Sequence, residues 1–170
     1  DGRYARYTEP LVPYASERAL MRARVQVEIE YLIALADLEA TPLAIDDDER
    51  AHLRDLYEAF SLEDAEIVKQ LETSGWQDYS ATNHYVKAIE YFVREHQPEG
   101  LSAGNWIHFG LTSEDVNNLA HRLLVKPAIE DVLVPELRDR GVLADPDGET
   151  LRERTSGKRG LPESHPGRAG

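Results

Sequence analysis

The sequence contains no cysteine, only four lysines and no long apolar run in its 170 residues. Without cysteine, a disulfide scaffold and a cysteine-ligated zinc site are excluded. No apolar run approaches the roughly 20 residues of a membrane span, and no basic and apolar leader opens the chain, so a cytoplasmic protein without membrane contact is expected. The six histidines show no metal-binding spacing, and no phosphate loop, dinucleotide fingerprint or nucleophile elbow is found. No metal site is therefore predicted.

Acidic residues outnumber basic ones by 32 to 19, which gives a net charge of −13 at pH 7. Nucleic-acid surfaces need clustered lysine and arginine, so nucleic acid is not an expected partner. The acid excess and the preference for arginine over lysine are typical of adaptation to a salty cytoplasm, where salt screens the repulsion between carboxylates. This halophile-like composition is a hypothesis about habitat and does not identify an activity.

Apolar residues recur at helical spacing along most of the chain and predict an all-α fold without a strand or an internal repeat. Residues 1–13 are predicted to be an extended leader. The first long helix should begin after Ser16 and stop near Thr41. Further helices are expected after "IDDDE", after Ser61, over "VKAIEYFVREH" and from Thr112 or Ser113, with a loop over "SGWQDYSATNH". Pro127 should kink or interrupt the last of them, because proline has no N–H group to donate.

Three polar clusters lie where a loop meets a helix, and free backbone N–H groups at such places can bind anions. They are Asp1-Gly2-Arg3-Tyr4, Thr82-Asn83-His84 and Thr112-Ser113-Glu114-Asp115. Each also has a purely structural interpretation, namely a mobile tail, a helix cap beside a surface histidine, and a capping box. Chemistry alone does not choose between the two. Among the other histidines, His52 and His96 are expected on the surface and His108 in the core or in a wall.

The clusters together resemble the beginning of the adenylosuccinate lyases, which belong to the fumarase/aspartase superfamily. The resemblance covers residues 1–139 and rests on "DGRY", "MRARVQVEIEYL", "ATNHYVKAIEYFV" and "IHFGLTSEDVNNLAHRLL" in the family's order. "TSEDVNN" is similar to this lyase rather than to fumarase, aspartase or argininosuccinate lyase. The resemblance implies an N-terminal helical lyase domain at residues 1–111 and, at residues 112–139, the start of a long helix toward a central bundle. Residues 140–170 are rich in glycine and proline, so a disordered, atypical tail is predicted there.

The resemblance also implies a reaction and an assembly. Members of this family eliminate fumarate from adenylosuccinate, which gives AMP, and from the succinylated aminoimidazole carboxamide ribotide of purine biosynthesis. A base removes a proton beside a carboxylate, and an acid protonates the departing nitrogen. The partners implied are a small-molecule nucleotide substrate and, in the complete family, further copies in a homotetramer. No cofactor is implied.

Seven residues are expected to bind substrate by this resemblance. Arg3 and Tyr4 would contact the nucleotide part, while Asn83 and His84 would line the pocket. Tyr85 stands where the family usually has Asp, which removes a carboxylate beside His84 and adds a larger ring. Thr112 and Ser113 would hydrogen-bond the substrate, with Ser113 a candidate for the succinyl carboxylate.

The sequence contains neither the family's histidine motif "THGQPA" nor its serine-loop motif "GSSxMPxKxNP", which carry the proposed general acid and general base. No catalytic residue is therefore predicted in this chain, and it is expected to be truncated or to come from a disrupted reading frame and to be inactive alone. Two alternatives stay open. One is another lyase of the superfamily, such as argininosuccinate lyase, and the other is a non-catalytic helical fragment.

Overall fold

A computed structural model describes residues 2–143, which are helical apart from turns and an isolated bridge between Trp76 and Tyr79. The predicted all-α class is confirmed. The chain divides into two units, residues 1–128 and residues 129–170. The helices of the first unit are α1 (Ala5–Thr8), a 3-10 turn (Glu9–Leu11), α2 (Val12–Ala15), α3 (Glu17–Ala36), α4 (Asp47–Glu58), α5 (Leu62–Thr73), α6 (Tyr85–Glu95) and α7 (Ser113–Pro127).

Helices α3, α5 and α7 begin where the sequence predicts, whereas α4 begins at Asp47, inside "IDDDE" rather than after it. Each of these starts is determined by a local side chain. Ser16, Asp46, Ser61 and Thr112 each accept a hydrogen bond from the backbone N–H three residues later. At the last three positions the acid at that later residue also accepts from the backbone of the cap, which completes a capping box.

Two predictions of local structure are wrong. The extended leader instead forms short helical turns from Ala5 to Ala15, since Pro10 and Pro13 occupy first-turn positions where a missing N–H costs nothing. Helix α3 ends at Ala36 rather than near Thr41. The Thr41 hydroxyl donates to the carbonyl of Leu35 at 2.7 Å, so this side chain satisfies a terminal carbonyl after the helix has ended.

Helix α3 lies at the centre of the first unit and is buried on two sides. Its larger apolar side chains pack with α4, α5 and α6 in one cluster, whose fully buried members include Ile29, Leu32, Leu53, Leu71 and Phe92. Its small residues form a second cluster with α7 and Val86, which contains Ala19, Ala23, Val27, Val116, Ala120 and Leu124. Small side chains let α3 and α7 approach closely, and this contact holds the start of α7 in place.

His96 is another correction, since it is half-buried rather than on the surface. Its ring stacks on Phe92 at 4.3 Å and on Trp76 at 5.9 Å between centroids. His52 is exposed, as predicted.

The helix type changes at Pro127, which confirms the predicted interruption. A π-helical turn, Ala128–Leu133, follows α7, and the described part of the second unit ends with α8 (Val134–Asp139). The predicted tail, residues 140–170, lies outside the described residues except for its first four positions. The boundary at residue 140 therefore stays a prediction. No helix within residues 2–143 is long and apolar enough to cross a membrane.

Candidate functional site

His84 and Ser113, which are 29 residues apart in sequence, face each other in the first unit. The Nε2 atom of His84 lies 3.4 Å from the Oγ atom of Ser113. His84 caps α6, because its Nδ1 atom accepts a hydrogen bond from the backbone N–H of Lys87 at 3.2 Å. A neutral ring that accepts at Nδ1 carries its proton on Nε2, so the capping bond directs an N–H donor toward Ser113.

The loop before α6 is fixed to the end of α5. The backbone N–H groups of Thr82 and Asn83 donate to the carbonyls of Leu71 and Glu72, at 2.9 and 2.8 Å. The Thr82 hydroxyl donates to the carbonyl of His84 at 3.1 Å. Asn83 takes a positive φ of 50°, which asparagine tolerates better than most residues, and its side chain is exposed. These bonds determine where the His84 ring can lie.

The adjacent hydroxyls of Thr112 and Ser113 have different surroundings. The Thr112 hydroxyl and backbone N–H both donate to Asp115 Oδ2, each at 2.7 Å. These bonds, the backbone one first, hold the pKa of Asp115 below its ordinary value. Ser113 is the first residue of α7, and its hydroxyl faces His84 instead. The capping interpretation therefore applies to Thr112, while the hydroxyl of Ser113 takes no part in the cap.

Tyr85 contacts both His84 and Arg24. The His84 and Tyr85 rings stack with centroids 5.3 Å apart, and the guanidinium carbon of Arg24 lies 4.4 Å from the centre of the Tyr85 ring. Asn117 bridges Arg24 and Tyr85, since its Oδ1 accepts from Arg24 Nε at 3.1 Å and its Nδ2 donates to the Tyr85 hydroxyl at 3.3 Å. Burial lowers the pKa of Arg24. The Tyr85 ring thus contacts both the Arg24 cation and His84, which faces Ser113.

The other predicted residues lie at the chain start. Arg3 and Tyr4 are exposed, and the Tyr4 carbonyl accepts bonds from the backbone N–H groups of Tyr7 and Thr8 within its own turn. The structure therefore brings His84, Tyr85 and Ser113 together, with Thr112 and Asn83 beside them in sequence. A place for Arg3 and Tyr4 in that group stays a prediction.

Sequence reasoning missed Arg24 and Glu28 on α3. Glu28 is fully buried, and its Oε1 lies 2.6 Å from Nδ1 of His108, which confirms the expectation that His108 lies in a core or wall. Burial raises the pKa of Glu28. A signal was present, because Glu28 follows Val25 by three residues and precedes Leu32 by four, which places a carboxylate on the apolar stripe. No group of three metal-ligating residues occurs within residues 2–143.

Comparison with known proteins identifies the family. The family described as "Lyase" matches residues 2–140. The adenylosuccinate lyase of Dictyostelium discoideum is 43% identical over 145 residues, which are 81% of this chain and 30% of that protein. The adenylosuccinate lyases of Legionella pneumophila (strain Corby) and Escherichia coli (strain K12) are 40% and 39% identical over 144 residues, 82% and 81% of this chain and 30% of each relative. The chain spans about 30% of the length of these curated relatives, and it belongs to the lyase family.

Proposed function

We propose that this chain supplies part of the substrate site of an adenylosuccinate lyase-like protein, which eliminates fumarate from adenylosuccinate and from the succinylated aminoimidazole carboxamide ribotide. The observation that carries the proposal is the contact between His84 Nε2 and Ser113 Oγ at 3.4 Å. Two motifs that match the family separately in sequence meet at this contact.

The proposed role of the pair is to bind a carboxylate of the succinyl group. His84 presents an N–H donor because its other ring nitrogen caps α6, and Ser113 adds a hydroxyl donor at the first turn of α7. The N-terminus of α7 also favours negative charge, and Arg24 adds a cation behind Tyr85. Donors that are already oriented stabilise the charge that develops beside a carboxylate when its neighbouring proton is removed.

Proton transfer is assigned to groups outside this sequence, since neither family motif for the general acid and base occurs in it. The chain alone is therefore expected to bind substrate without releasing fumarate. Arg3, Tyr4, Asn83 and Thr112 belong to the proposed site as further contacts, by family resemblance. The homotetramer is likewise part of the proposal, and the exposed apolar residues Leu119 and Leu123 on α7 support association.

The test is calorimetric titration of the 170-residue chain with adenylosuccinate in high salt. Ser113→Ala and His84→Asn should each weaken binding roughly 10- to 100-fold, because a hydrogen bond to a charged group is worth about 1.5–3 kcal/mol. Asn can replace the capping function of His84 while it removes the Nε2 donor. Ser80→Ala and His121→Ala change exposed residues of the same types and should leave binding unchanged.

Each other outcome favours a different reading. Equal binding of argininosuccinate would favour another lyase of the superfamily. Binding of neither compound would favour a non-catalytic helical fragment. Fumarate release by this chain, lost on Ser113→Ala, would contradict the assignment of proton transfer to groups outside the sequence.

A further inference from the structure

Glu28 is an unusual residue for the centre of a helix core. Its side chain is fully buried, and it lies on α3 between apolar residues of both clusters. Oε1 lies 2.6 Å from His108 Nδ1, whereas Oε2 has no hydrogen-bond partner among the described residues. Burying a carboxyl group is costly unless it is paired, and a leucine would fill the same space without that cost. What the Glu28 carboxyl group adds, and a leucine would not, is therefore its contact with His108.

His108 lies in a turn whose backbone needs support. Its φ is +61°, a left-handed conformation that residues with a side chain adopt infrequently. The next residue is held by the same helix, because the Tyr31 hydroxyl donates to the carbonyl of Phe109 at 3.0 Å. Glu28 and Tyr31 are three residues apart and lie on the same face of α3. One face of α3 thus binds two consecutive residues of the turn.

This turn leads directly to the candidate site. The backbone N–H of Leu111 donates to the carbonyl of His108 at 3.3 Å, and Gly110, with φ +73°, completes the change of direction before Thr112. The capping box fixes Thr112 relative to α7, but it does not fix the turn relative to α3. Ile107 and Leu111 pack into the two core clusters on either side of the turn, and the bonds from Glu28 and Tyr31 add the polar connection to its backbone and to His108.

We propose that Glu28 and His108 form a positioning pair, assisted by Tyr31, which holds the turn so that the Ser113 hydroxyl faces Nε2 of His84. The role of this contact in substrate binding rests on the proposed function, but the contact itself can be tested without a ligand. The other charged groups near the pair are Glu90, which is buried and ion-paired with Lys87 and Arg94, and Asp115 in the capping box. Neither hydrogen-bonds to His108.

The experiment follows the ¹⁵N chemical shift of His84 Nε2 in the 170-residue chain. Ser113→Ala gives the reference shift change for loss of the contact. Glu28→Leu should change the shift in the same direction, and the double variant Glu28→Leu/Ser113→Ala should show no further change. Glu28→Gln keeps an acceptor for His108 and should retain most of the original shift. A pair that only stabilised the fold would lower the melting temperature without moving this signal.

Glu30→Leu is the matched control. It removes a carboxyl group from the same helix, but Glu30 binds Arg54 and Tyr57 on α4 and does not contact the turn. The His84 signal should therefore stay unchanged. An unchanged signal in Glu28→Leu, or the same change in Glu30→Leu, would overturn the proposal. Should Glu28→Leu fail to fold, Tyr31→Phe tests the same connection, and an unchanged His84 signal in that variant would contradict it.

Ligand titration separates this proposal from the proposed function. If the chain binds adenylosuccinate, Glu28→Leu should weaken binding about as much as Ser113→Ala, and the double variant should bind no more weakly than either single variant. If the unsubstituted chain does not bind adenylosuccinate, the proposed function fails, while the His84 signal still decides whether Glu28 positions Ser113.

Discussion

The guanidinium carbon of Arg24 lies 4.4 Å above the centre of the Tyr85 ring. Among residues 2–143, no carboxylate lies within ion-pairing distance of Arg24, and its hydrogen bond goes to the amide of Asn117. Burial disfavours the charge of Arg24, while Tyr85 and the more distant carboxylates of Glu72 and Glu17 favour it. Tyr85, where the resemblance implies an Asp, thus contacts both this cation and His84.

Tyr85→Asp should weaken adenylosuccinate binding by up to about fivefold. The new carboxylate would pair with Arg24, the cation proposed to favour the succinyl carboxylate, and a partly exposed ion pair of this kind is worth roughly 0.2–1 kcal/mol. Calorimetric titration measures the change. Tyr85→Asn is the control, because it has the same reduced size without the charge. Binding that is no weaker in the Asp variant than in the Asn variant would contradict a role for the charge of Arg24.

The neighbouring hydroxyls of Thr112 and Ser113 should contribute unequally to the stability of the fold. Thr112→Val removes the cap of α7 and should lower the free energy of unfolding by about 1 kcal/mol. Thr112→Ser keeps the capping oxygen and should lose much less. Ser113→Ala should change the free energy of unfolding by less than about 0.5 kcal/mol, because its hydroxyl takes no part in the cap and lies as far as 3.4 Å from His84. Urea unfolding measures all three, and a large loss in Ser113→Ala would assign that hydroxyl to the fold.

The sequence predicts the helix starts well because each depends on residues three positions apart. Ser16, Ser61 and Thr112 can be identified without knowledge of the rest of the chain, whereas the run of three aspartates hides which of them, Asp46, is the cap of α4. The end of α3 is harder, because it depends on the hydroxyl of Thr41, which lies beyond the helix and bonds back to Leu35. Helix ends that need a partner from a later loop are not encoded in a short window.

The candidate site is only partly predictable for the same reason. His84, Tyr85 and Ser113 are found because they belong to motifs that read as polar clusters. Their meeting depends on the packing of α3, α6 and α7, and the residues that support them are distant in sequence: Glu28 lies 80 positions from His108, and Arg24 lies 93 positions from Asn117. A pattern along the chain can flag Glu28 as a carboxylate on an apolar stripe, but it cannot name its partner.

Alanine substitutions at two leucines, one buried and one exposed, should change the free energy of unfolding by very different amounts. Leu32 on α3 is fully buried, and Leu32→Ala should lower the free energy of unfolding by about 2–5 kcal/mol through lost burial and a cavity. Leu62, the first residue of α5, is 70% exposed, and Leu62→Ala should have little effect. Urea denaturation of both variants checks this. Similar losses at the two positions would contradict the arrangement of the core around α3.

The capping box of α7 should make stability depend on pH through Asp115. Its two bonds from Thr112 favour the charged form and lower its pKa in the folded state. The folded chain therefore binds this proton less readily than the unfolded chain does. The stabilisation is present above the ordinary pKa of an aspartate, 3.8, and is lost as the pH falls through the lowered folded value.

Asp115→Asn tests this sign. Asparagine can accept a hydrogen bond but carries no charge to favour the helix N-terminus, so the variant should be less stable than the original chain at neutral pH. The difference between the two should shrink as the pH is lowered below 3.8, because Asp115 then becomes neutral as well. Urea unfolding of both proteins across this pH range measures it. Asp78→Asn, which changes an exposed acid outside the capping box, should not reproduce this dependence. A difference that grew at low pH would show that the charged form of Asp115 is not the one that holds the start of α7.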